Sequence, residues 1–256
     1  MYMEKFSLKG QVGIVTGGGQ GIGRVYCHAF AEAGADIVVV EINPDTGRET
    51  AEQLRAMGQR SIFVETDIRR RQSVESMVEK AISEFGKIDF LMNNAGLARV
   101  CPVEDVSEEA WRAIFDVNLN GTFFCCQAVG RHMIRRKTGS IINVSSVSDR
   151  IANRNRAHAS YNVSKAGVRH LTTVLACEWA KHNVRVNGIA PGYVATVQAK
   201  LALADPEYGG QVMPWVPMQR PGEPEELGPL AIFLASSASS YMTGTTVVID
   251  GGYTCW

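Results

Sequence analysis

Seven short apolar runs recur along the chain: VGIVT (12–16), DIVVVE (36–41), SIFVET (61–66), IDFLMN (88–93), SIINVS (140–145), VRVNGIA (184–190) and TVVID (246–250). Their apolar character is continuous rather than alternating, which marks strands covered on both faces, as in a parallel sheet. Between them lie longer helix-like segments at 21–34, 46–57, 72–85, 107–135, 160–181 and 224–235. This alternation predicts an α/β fold, a doubly wound parallel sheet of about seven strands with helices on both faces. No Pro/Gly/Ser-rich linker divides the chain, so residues 1–256 read as a single domain. The stretch 191–222 breaks the rhythm. It is long, weakly periodic and rich in Pro, Gly, Met and Trp, and it predicts a substrate lid at about 192–222.

Charge changes this picture only by exclusion. Lys plus Arg equals Asp plus Glu at 26 each, so nothing invites nucleic acid or an anionic membrane. No apolar run approaches the roughly 18 residues of a membrane span, and the first ten residues lack a signal peptide's apolar stretch. The six cysteines are scattered and form no CxxC pair, which predicts reduced thiols and a cytoplasmic protein. His28, His132, His158, His170 and His182 form no HxxxH or Cys/His cluster, so no metal is expected.

VTGGGQGIGR (15–24) follows the first strand and opens the first helix. Glycines there let backbone approach a phosphate, and a helix N-terminus offers free N–H groups and a positive dipole end. Many such turns merely tighten a strand-to-helix connection, but the placement after strand one favours a dinucleotide site. Tyr161 and Lys165 stand four residues apart on a predicted helix and so share a face. A lone YxxxK is weak evidence. Here it follows strand five, where the carboxyl edge of a doubly wound sheet holds ligands.

The spacing Gly17, Gly21, Gly23 (TGxxxGxG) departs from GxGxxG and resembles the short-chain dehydrogenase/reductase family, whose fold is Rossmann-type. MNNAGLA (92–98), DVNLNGTFF (116–124), INVSS, YNVSK, PGYVAT (191–196) and a terminal DGGY follow in the family's order across nearly the whole chain. The resemblance implies cofactor contacts from Gly17, Gln20, Gly21, Ile22 and Gly23, from Asp67 and Ile68 at the adenine, and from Asn94, Ala95 and Gly96 along the nicotinamide ribose. It also implies contacts from Pro191, Gly192, Val194 and Thr196 near the carboxamide and pyrophosphate. Val197 stands where many members carry an acid. Glu41 ends strand two, eighteen residues past Gly23, where it can accept hydrogen bonds from ribose hydroxyls and repel a 2′-phosphate. Gln20 and Ile42 add no positive charge there, so NAD is expected over NADP.

The implied catalytic group is Asn118, Ser146, Tyr161 and Lys165. A free tyrosine ionises near pH ~10, and a neighbouring ammonium together with the positive nicotinamide favours the phenolate. Tyr161 would take the proton from the substrate hydroxyl, while Lys165 lowers its pKa and holds the ribose. Asn118 would organise a water that relays protons from Lys165, in a helix its own side chain distorts. Counting back thirteen from Tyr161 selects Ser148; counting forward from the strand selects Ser146, which strand register favours, with Ser145 turned away.

The loop DRIANRNRAHAS (149–160) is polar, with Arg150, Asn153, Arg154, Asn155, Arg156 and His158. Ser146, Ser148, Asn153 and Tyr161 are the expected substrate contacts. The loop and the ending DGGYTCW resemble NAD-dependent polyol and sugar dehydrogenases of the family, such as galactitol dehydrogenases. The arginines also leave room for a sugar acid. A 3-oxoacyl-thioester or hydroxyacid reductase is the alternative within the class, and a non-catalytic NAD-binding scaffold the alternative outside it. Met213, Trp215 and Met218 could close over the site, form a subunit contact or simply pack. The apolar YTCW terminus suits the buried interface of a homotetramer, the assembly the family implies.

Overall fold

The computed structural model describes residues 1–154, 156–196, 199–200, 203 and 209–256; Asn155 and Val197 lie outside them. Strands β1 (Val12–Thr16), β2 (Asp36–Glu41), β3 (Ser61–Glu65), β4 (Phe90–Asn93), β5 (Gly139–Val144), β6 (Val184–Pro191) and β7 (Thr246–Ile249) form one sheet in the order β3-β2-β1-β4-β5-β6-β7. Every pairing is parallel. The strand order reverses between β1 and β4. The chain therefore winds outward in both directions and leaves a crevice at the carboxyl ends of these two strands.

Successive strand residues feed opposite layers, as a period of two requires. Val15, Val39, Met92 and Ile142 pack on one side with Tyr26, Phe30, Leu54 and Leu234, from α1 (Gly21–Glu32), α2 (Pro44–Ala56) and α7 (Gly228–Ala235). Ile14, Val38, Leu91 and Ile141 pack on the other with Met77, Val129 and Leu175, from α3 (Arg71–Phe85), α5 (Thr122–Arg136) and α6 (Ala159–Trp179). Each such buried side chain stabilises the fold by roughly 1.5–3 kcal/mol before entropy is counted. The single doubly wound domain expected from the runs is the one observed.

The helix expected over 107–135 is not continuous. It divides into α4 (Glu108–Phe115), a π-helical segment Asp116–Gly121, and α5. The wider turn has local causes. Asn118 turns its amide away to the chain after β4, the Thr122 hydroxyl donates to the Asn118 carbonyl at 2.8 Å, and Gly121 admits Ile68, whose Cδ1 would lie 2.8 Å from any Cβ there. Beyond β6, Val194 pairs with Gly222 in an isolated parallel bridge, with Ala195 N donating to Gly222 O at 2.8 Å. The two ends of the irregular stretch are thereby fastened side by side.

Candidate active site

The expected site residues from β1, β4, β5 and β6 gather at the carboxyl edge of the sheet, and Glu41 closes the end of β2. At β1, Gly17 takes a left-handed φ of 63° beside Ala95, whose Cα would lie 2.9 Å from a Cβ. A Cβ on Gly23 would stand 1.9 Å from the Gly17 carbonyl, so α1 seats against the turn only through glycine. Gly21, φ 53°, opens onto free space. Gln20 precedes α1 without a side-chain cap, so the first-turn N–H groups of the helix, those of Gly21, Ile22 and Gly23, receive no such partner. An uncapped helix N-terminus behind an open glycine turn fits a dinucleotide pyrophosphate.

Glu41 is buried against this turn. Its Oε2 accepts from Gly19 N at 3.2 Å, and its Oε1 accepts from Ile42 N at 2.8 Å and Asn43 N at 3.3 Å. Arg24 donates to the Gly19 carbonyl through Nε at 3.0 Å and Nη2 at 2.7 Å, bracing the loop from the other side. Asp67 is paired with Arg69 (Nη2–Oδ2 2.7 Å), which holds its carboxyl below the ordinary range through that hydrogen bond. Ile68 is buried against the Gly121 backbone. Asn94 fastens β4 to the glycine turn, its Nδ2 donating to Thr16 O at 3.1 Å and Gly17 O at 3.2 Å. The Thr16 hydroxyl accepts from the backbone of Asn94 and Ala95 at 3.0 and 3.1 Å.

Asn118 is fully buried. Its Oδ1 accepts from Leu97 N at 2.7 Å, and its Nδ2 donates to Leu97 O at 2.9 Å and Ser164 Oγ at 3.0 Å. A Cβ on Gly96 would meet Asn118 Oδ1 at 3.4 Å and Lys165 Nζ at 3.5 Å, so these two polar ends converge on one glycine. Lys165 is buried and donates to the Val144 carbonyl at 2.8 Å, with Nζ 5.8 Å from the Tyr161 ring centre. Burial pushes its ammonium down to about 8, with Asp149 pulling the other way. The Ser146 hydroxyl stands near enough to Tyr161 to favour its phenolate. Burial holds its phenol above the ordinary value, against the downward pull of Ser146 and of Arg156. In the chain by itself, desolvation therefore outweighs the groups that favour the phenolate.

The three serines part company. Ser146 ends the strand extension and faces Tyr161, while also accepting from Ser148 N at 3.2 Å. Ser148 donates to Asn153 Oδ1 at 2.8 Å. Ser145 donates to Asp149 Oδ2 at 2.7 Å and Lys165 O at 3.0 Å. The three arginines of the polar loop divide as well. Arg150 pairs with Asp149 at 2.7 Å, Arg154 lies 3.8 Å over the Trp215 ring centre, and Arg156 donates to His158 at 2.8 Å. The His158 ring meets Tyr161 edge-on at 5.7 Å, and burial pushes the imidazole down to about 4. Val216 and Tyr253 pack with Val147, so the stretch after Val194 and the C-terminus both lean on the serine loop.

Pro191 and Gly192 close β6 against β7, where a Gly192 Cβ would stand 2.7 Å from Asp250 Cα. Val194 forms the bridge already described. The Thr196 hydroxyl accepts from Ala199 N at 3.2 Å. Among the described residues no group of three His, Cys, Asp or Glu side chains could hold a metal. The sequence reading missed Thr16, Arg24, Ser164 and Asp149. Of these only Asp149, the acid that opens the polar loop three residues after Ser146, left a trace in the sequence.

A family model described as enoyl-(acyl carrier protein) reductase matches residues 17–254. A galactitol 2-dehydrogenase of Rhizobium johnstonii is 41% identical, the alignment covering 100% of this chain and 99% of the relative. A 2-dehydro-3-deoxy-D-gluconate 5-dehydrogenase of Escherichia coli is 40% identical, with 99% of each covered. Among solved structures, a gluconate 5-dehydrogenase of Burkholderia cenocepacia in complex with NADP and tartrate superposes with a TM-score of 0.95 at 35% identity, covering 100% of both chains.

Proposed function

Because the chain belongs to the short-chain dehydrogenase/reductase family and is an NAD(P)-dependent oxidoreductase of polyol- and sugar-type secondary alcohols, we propose that NAD is its dinucleotide and that Tyr161 is its proton-transfer group. The observation that carries this is the pairing of Tyr161 with buried Lys165, whose Nζ lies 5.8 Å from the phenol ring centre and donates to the Val144 carbonyl at the carboxyl end of β5, with Ser146 beside them. The uncapped turn Gly17–Gly23 and Glu41 support NAD; a carboxylate at the end of β2 opposes a third phosphate. The NADP in the similar gluconate dehydrogenase makes this a point to measure.

When bound, the dinucleotide supplies the hydride acceptor. Ser146 Oγ orients the substrate oxygen, Tyr161 Oη takes the hydroxyl proton as the carbon gives up hydride, and Lys165 holds the ribose side. Asn118 braces the pair through Leu97 and through Ser164, whose hydroxyl donates to the Tyr161 carbonyl at 2.8 Å. Asn153 and Ser148 offer further polar contacts to a hydroxyl-rich chain. The bridge Val194–Gly222, which brings the two ends of 192–222 together, supports a lid there; 197–198, 201–202 and 204–208 lie outside the described residues. Trp256 at 74% exposure and the fully exposed Tyr241 support a homotetramer, and six free cysteines support a reducing cytoplasm. A hydroxyacid reading is favoured by one observation, the Arg156 guanidinium bonded to the His158 ring that meets Tyr161 edge-on.

The test is a panel of polyols, sugars, sugar acids and hydroxyacyl compounds with NAD and with NADP, on the wild type and Tyr161→Phe. The variant should lose at least about 10²-fold in kcat/KM on the best alcohol with dinucleotide affinity kept. Unchanged turnover would overturn the mechanism and favour a scaffold. Light scattering of the purified chain reads the subunit number.

A further inference from the structure

Asp149 takes no part in the chemistry above, yet its side chain is 0% exposed and tied through Ser145 to the Lys165 backbone. Burying a carboxylate costs several kcal/mol unless it is paired and hydrogen-bonded. Here Ser145 Oγ donates to Oδ2 at 2.7 Å, Arg150 Nε to Oδ1 at 2.7 Å, and Arg169 Nε stands 3.6 Å from Oδ1. Both guanidiniums reach outward to solvent, at 32% and 44% exposure, while the carboxylate points inward. Ser145 also donates to the Lys165 carbonyl, and Arg169 lies one helical turn beyond Lys165 on α6. The acid therefore grips the helix that carries Tyr161 and Lys165 from the loop that carries Ser146.

We propose that Asp149 is a positioning residue for the Tyr161–Lys165 pair: its buried carboxylate fixes the serine loop to α6 and sets a negative charge near the pair. A neutral turn residue would satisfy Ser145 without the desolvation cost, so the charge itself is the feature that asks for a role. Asp149 is the carboxylate that acts on both Tyr161 and Lys165. The other ionisable groups facing the cluster are Arg150, Arg156 and His158 from the loop and Arg169 from α6. The negative charge opposes loss of a proton from either member. It keeps the Lys165 ammonium charged in a dry site, at the expense of a harder ionisation for Tyr161.

The kinetic arm of the test rests on the dehydrogenase reading; the spectroscopic arm does not. Asp149→Asn keeps the shape and an acceptor for Ser145 but removes the charge. Both limbs of its pH–kcat/KM profile for alcohol oxidation should shift to lower pH. The ratio of kcat/KM at pH 10 to that at pH 8 should fall at least about threefold. Ser145→Ala, which keeps the charge and breaks the tie, should lower Tm and leave the profile in place. Phenolate absorbance titration, taken as wild type minus Tyr161→Phe with and without Asp149→Asn, should show the same downward shift without any substrate. If no alcohol is oxidised by the wild type, the dehydrogenase reading fails and this titration alone decides. Should Asp149→Asn not fold, Arg169→Gln leaves the carboxylate less compensated and should shift the titration upward. An unchanged titration in a folded variant overturns the proposal.

Discussion

Around Gly17–Gly23 the chain offers peptide N–H groups on a turn that only glycine can make, backed by a carboxylate that stays bonded to the backbone of Gly19, Ile42 and Asn43. Around Ser146–Lys165 it offers side chains, two of them charged and buried, each held by a partner from another element. The first region is built by conformation and the second by desolvated electrostatics. The difference teaches what each tolerates. A glycine turn fails sterically when changed, whereas a buried ammonium beside a phenol fails by degrees, through its proton.

Six substitutions break or sharpen this contrast. Lys165→Met has the largest expected effect. It removes the buried cation and should cut kcat/KM by about 10²–10⁴-fold while also weakening dinucleotide binding, seen by fluorescence titration. The serines come next. Ser146→Ala should lose about 10–100-fold in kcat/KM, Ser148→Ala about 2–10-fold through its Asn153 contact, and Ser145→Ala less in rate than in Tm. A larger loss at Ser148 would move the substrate hydroxyl's partner one turn along the loop.

On the conformational side, Glu41→Ser should erode the preference for NAD over NADP by about tenfold, as removal of one repulsive charge near a phosphate implies. The smallest effect is His158. Its imidazole ionises at about 4 in the folded chain against an ordinary 6.5, because burial and Arg156 disfavour the cation. The unfolded chain binds the extra proton first, so stability is full above pH 6.5 and falls as pH drops toward 4. Melting curves of His158→Gln should show a shallower loss of Tm across that window.

The elements were readable because a doubly wound sheet buries whole strands, and VGIVT or DIVVVE leaves no alternative period. The division of 107–135 was not, since a π-helical turn depends on where Asn118 finds its partner, and Leu97 is 21 residues away. The distortion itself was foreshadowed by Asn, Asn and Gly in one helical stretch. The glycine turn and the YxxxK spacing could be read because each is a local geometry with few residue solutions. Ser146 facing Tyr161 followed from strand register, and Ser145 turning toward Asp149 is the same alternation seen from the other face.

Sequence by itself determined the strand count and the order of the motifs along the chain, since these depend on side-chain chemistry and near neighbours. Tertiary structure alone decided that Asp149 lies buried between Ser145 and the guanidiniums of Arg150 and Arg169, that the three loop arginines serve three different partners, and that burial outweighs the groups favouring the phenolate. Those outcomes turn on desolvation and on distances between elements far apart in the chain, and neither is carried by a local pattern of residues.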